Sequence, residues 1–114
     1  MSSSVTQITN RQSHDAVVDA SATTPTIIYV SNSALPICQT FTPQYEALAA
    51  KHGGAAKFTQ MEITSDTSDM FKFGPNQLPV LVLLSRGPWS RTLMSPSVEV
   101  LEKGVEEMLA REGK

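Results

Sequence analysis

The sequence lacks a second cysteine: Cys38 stands alone among 114 residues. That excludes an internal disulfide and any metal cage built on paired thiolates, and it leaves the chain only monothiol chemistry. Long apolar runs are missing as well. None approaches the roughly 20 residues that span a bilayer, so no membrane role is expected. Charge of one sign is not in excess either, since 9 Lys and Arg stand against 11 Asp and Glu for a formal net charge of -2. Without a basic run or stripe there is no electrostatic footprint for nucleic acid or anionic lipid. The opening Met1-Ser2-Ser3-Ser4 has neither the basic segment nor the apolar core of a secretion signal, and the expected address is cytoplasmic.

What is present suits one soluble domain spanning residues 1–114. Hydrophobic residues make up 40% and charged residues 18%, and a chain of this length buries roughly two-thirds of the surface it exposes when unfolded. Val5 to Ile8 alternates apolar and polar side chains, and Asn10 can cap a helix running through His14, Val17 and Val18 until Ser21-Ala22-Thr23-Thr24-Pro25. Thr26-Ile27-Ile28-Tyr29-Val30 is β-branched and almost wholly apolar, the composition of a central strand covered on both faces. A turn follows, and Pro36 suits the first turn of a helix, where its missing N–H would have had no partner. That helix carries Phe41, Tyr45, Leu48 and His52 as an inward stripe, is expected to kink at Pro43, and stops at Gly53-Gly54.

Ala56 to Ile63 reads as a further strand with Phe58, Met61 and Ile63 as its apolar members, and Met70-Phe71-Lys72-Phe73 as a short helix ended by Gly74-Pro75. Val80 to Leu84 is the strongest strand signal, and Arg86-Gly87-Pro88 turns it into a hairpin with Trp89 to Met94. Ser95-Pro96 offers an N-cap and first residue for a last helix with Val98, Leu101, Val105 and Met108 on one face.

The order β-α-β-α-β-α-β-β-α, with Cys38 five residues before the helix-kinking Pro43, the pair Phe73-Gly74, and Leu78-Pro79 leading into the hairpin, resembles thioredoxin. The resemblance covers nearly the whole chain. It implies an α/β thioredoxin fold, a central mixed sheet of about five strands flanked by about four helices. In that family the loop reads Trp-Cys-Gly-Pro-Cys, and its first cysteine is an exposed thiolate at a helix N-terminus. Here the stretch is Ala34-Leu35-Pro36-Ile37-Cys38. Leu35 stands where the nucleophile would be, and Cys38 matches the recessed cysteine that resolves the mixed disulfide. The family's buried acid corresponds to Tyr29 and a nearby lysine to Gln60. The chain is therefore not expected to be a dithiol-disulfide oxidoreductase.

Pro79 matches the proline that is cis in the family, where the preceding residue offers its backbone to an extended peptide; Leu78 would make that β-augmentation contact. Leu35, Pro36, Ile37 and Leu78, extended by Trp89 if the hairpin folds toward them, would form an apolar patch of the kind that marks a partner surface. The expected function is thus a redox-inactive or atypical thioredoxin-like domain that binds a protein or peptide through Leu35, Pro36, Ile37, Leu78 and Pro79. The alternative is a monothiol oxidoreductase or redox sensor in which Cys38 is the catalytic residue, with glutathione or a protein thiol as partner. A third reading buries the patch in a homodimer. No cofactor and no metal site is expected: His14 and His52 lie on separate helices and read as surface residues, and Glu106-Glu107 and Asp66 with Asp69 read as solvated faces.

Overall fold

The computed structural model describes residues 5–21, 23–32, 35–52, 56–62, 78–85, 90–94 and 96–112. In chain order the elements are β1 (Val5–Ile8), α1 (Arg11–Ala20), β2 (Thr26–Ser31), α2 (Pro36–His52), β3 (Lys57–Glu62), β4 (Val80–Leu84), β5 (Ser90–Met94) and α3 (Val98–Glu112). The strands form one mixed sheet in the order β1-β3-β2-β4-β5. β3 pairs in parallel with both β1 and β2, whereas β4 runs antiparallel to β2 and to β5. All six residues of β2 are buried, as its unbroken apolar run requires of a strand covered on both faces.

Because side chains alternate across a strand, the sheet divides its apolar residues between two cores. Ile27, Tyr29, Phe58, Leu81 and Leu83 pack with Phe41, Tyr45 and Leu48 of α2 and with Leu101, Val105 and Met108 of α3. Ile28, Val30, Met61 and Val80 pack on the other side with Val17 of α1, and with Cys38 and Leu78. The expected alternation in β1 resolves differently. Val5 and Ile8 are three residues apart, an odd spacing, so they serve opposite cores.

The helix ends follow from local hydrogen bonding. Asn10 caps α1 by accepting from the Ser13 amide at 2.9 Å, while Ser13 Oγ accepts from the Asn10 amide at 3.1 Å. α2 begins at Pro36 as expected and continues as helix through Pro43, which supplies no N–H to the helical ladder. α3 departs from expectation. Its cap is Ser97, whose hydroxyl accepts from the Val100 amide at 3.3 Å and whose carbonyl accepts from Leu101, so the helix starts two residues later than Ser95-Pro96 predicts. A side-chain oxygen three residues before a helical N–H outranks proline's preference for the first position.

Three helices lie among the described residues. The fourth, expected near Met70 to Phe73, falls outside them, as do Gly53-Gly54, Ile63, Asp66, Asp69, Gly74-Pro75, the Arg86-Gly87-Pro88 turn and Trp89. No described helix is long and apolar enough to cross a membrane.

Candidate functional site

The entry to α2 follows directly from β2. Leu35 donates its amide to the Asn32 carbonyl at 3.0 Å, and its own carbonyl accepts from the amides of Cys38 and Gln39, each at 3.1 Å. Pro36 opens the helix with no N–H to satisfy. This geometry puts Leu35 against the core cluster of Val30, Cys38, Leu78 and Val80, and leaves Pro36 and Ile37 outside it. Ile37 is 50% exposed. Cys38 points inward and is only 1% exposed.

The peptide bond between Leu78 and Pro79 is cis, as the resemblance implies. The expected apolar surface patch is smaller than the sequence suggests. Leu78 is 2% exposed and belongs to the same core cluster as Cys38, and Pro79 is buried as well. Leu35, Cys38 and Leu78 are therefore brought together, Cys38 and Leu78 inside the protein and Leu35 half-buried against them. Only Pro36 and Ile37 of the five predicted binding residues stand exposed.

Tyr29 is a peg for α2. Its hydroxyl lies 2.9 Å from Thr42 Oγ1 and 3.2 Å from the Cys38 carbonyl, which also accepts from Thr42 Oγ1 at 2.8 Å. Burial pushes its phenol far above the usual tyrosine range, so it stays a neutral hydrogen-bonding group. Its ring packs against Phe41 and Tyr45 with centroids 5.3 and 4.7 Å away. Tyr45, raised likewise by burial, donates to the Thr59 carbonyl at 2.6 Å and ties α2 to β3.

Beside Tyr29 the two parallel strands turn polar. Ser31 Oγ donates to Glu62 Oε1 at 3.0 Å and accepts from Gln60 Nε2 at 3.1 Å. Across from them Cys38, Gln39, Thr42 and Pro43 of α2 are the other described residues lining a pocket of about 330 Å³. Ser31, Thr42 and Glu62 belong to no motif in the sequence. For Ser31 and Glu62 the signal was a polar residue at the C-terminal end of each of two parallel strands, the end of an α/β sheet where ligands settle; Thr42, on α2, had none.

His14 and His52 are partly buried rather than fully exposed. Their side chains are only 17% and 16% exposed; His14 Nδ1 lies 3.2 Å from Asp15 Oδ1, and His52 faces Glu102 of α3 at 3.7 Å. Among the described residues no group of three His, Cys, Asp or Glu side chains could hold a metal ion.

With β1-β3-β2-β4-β5 order, a helix entered directly from the central strand, and a cis-proline before the hairpin, the chain has the thioredoxin fold. Solved structures agree. A thioredoxin from Malassezia sympodialis superimposes with a TM-score of 0.76 at 14% identity, covering 95% of this chain and 93% of that one. Thioredoxin O1 from Arabidopsis thaliana gives 0.76 at 14% identity over 92% and 97% of the two chains. Chloroplastic thioredoxin z gives 0.75 at 17% identity over 96% and 98%. No protein-family model matches the sequence, and no curated protein matches it significantly.

Proposed function

We propose that this chain is a thioredoxin-fold binding domain, without dithiol chemistry, that recognises an extended peptide segment of another protein at the face carrying Pro36 and Ile37. The observation that carries this reading is the pairing of Leu35 at the nucleophile position with Cys38 at 1% exposure. Leucine cannot ionise or attack, and a thiol only 1% exposed meets a disulfide partner chiefly when the fold opens locally. Burial of Cys38 among Val30, Leu78 and Val80 also favours a packing role over the monothiol alternative, since free cysteines are commonly small core hydrophobes. Ile37, half exposed at the start of α2, is an apolar anchor of the kind that partner surfaces use.

The test has two arms on the native protein. Cys38 should react with a maleimide on the order of a hundredfold more slowly than in the unfolded chain, because reaction waits on local opening. It should neither reduce a model disulfide nor form a mixed disulfide with glutathione. A random peptide library selected on the wild type should yield binders that are lost on Ile37→Glu. Labelling as fast as in the unfolded chain, together with disulfide reduction, would transfer the function to Cys38. Failure to enrich any sequence would remove the peptide reading.

A further inference from the structure

We draw no further inference here: the strongest candidate, the buried Nε2 of His52 where the C-terminal end of α2 meets Glu102 of α3 at 3.7 Å, carries nothing because that carboxylate oxygen is already held by Lys51 at 2.6 Å and no second observation at the helix pair points to a ligand.

Discussion

Tyr29 does two jobs with one side chain. The phenol fills the space under α2 with a ring held between Phe41 and Tyr45, and satisfies Thr42 and the Cys38 carbonyl with its polar end. Ring and hydroxyl make separable contributions. Tyr29→Phe keeps the packing and removes one buried hydrogen bond, and should cost about 1 kcal/mol. Tyr29→Ala also leaves a cavity in the aromatic cluster, and should cost about 3–5 kcal/mol. Denaturant unfolding at constant m would read both. Equal losses in the two variants would mean that the hydroxyl, and not the ring, holds α2 in place.

At the scale of elements, α2 and α3 share one face of the sheet and are clipped together at the surface. Lys51 Nζ donates to Glu102 Oε2 at 2.6 Å, and this hydrogen bond is the main reason that Glu102 titrates below, and Lys51 above, its ordinary value. The signs set the pH window. Glu102 contributes stability that is present above its unfolded value and is lost as pH falls through the lower folded one. Lys51 contributes stability that is present below its unfolded value and is lost as pH rises through the higher folded one. Comparison of wild type with Lys51→Met by thermal unfolding should therefore show a small Tm difference, constant between about pH 5 and 10 and shrinking in stronger acid or base. A difference that grows on acidification would contradict the assignment. Arg91 of β5 and Glu107 of α3 form a second exposed ion pair, tying the edge strand to the same helix. Such pairs orient elements more than they stabilise them.

For the whole molecule, stability is graded outward from β2. That strand has a partner on each side and is buried at all six positions, whereas β5 is an edge with four of its five residues exposed. Amides of Ile27 to Val30 should accordingly exchange with deuterium only through global unfolding, and β5 should exchange faster through local opening. Hydrogen exchange followed by NMR checks this. Protection of β5 equal to that of β2 would require the edge to be covered in solution, which is also how a dimer formed through β5 would appear.

Much of this fold was legible in local sequence because the signals are local. The apolar run of Thr26 to Val30, the cap at Asn10, Pro36 at a helix start and the strand at Val80 to Leu84 each depend on residues within a turn or two of each other. That Leu35 can neither ionise nor attack was equally plain, since one side chain decides it. Tertiary structure alone decided the rest. Parallel pairing brings Ser31 beside Glu62, and helix packing sets Thr42 and Cys38 against them, so the pocket exists only once three elements are assembled. The burial of Leu78, which removes it from the expected surface patch, is likewise set by neighbours distant in sequence. Strand register and helix docking are non-local, and no spacing along the chain encodes which polar side chains they bring face to face.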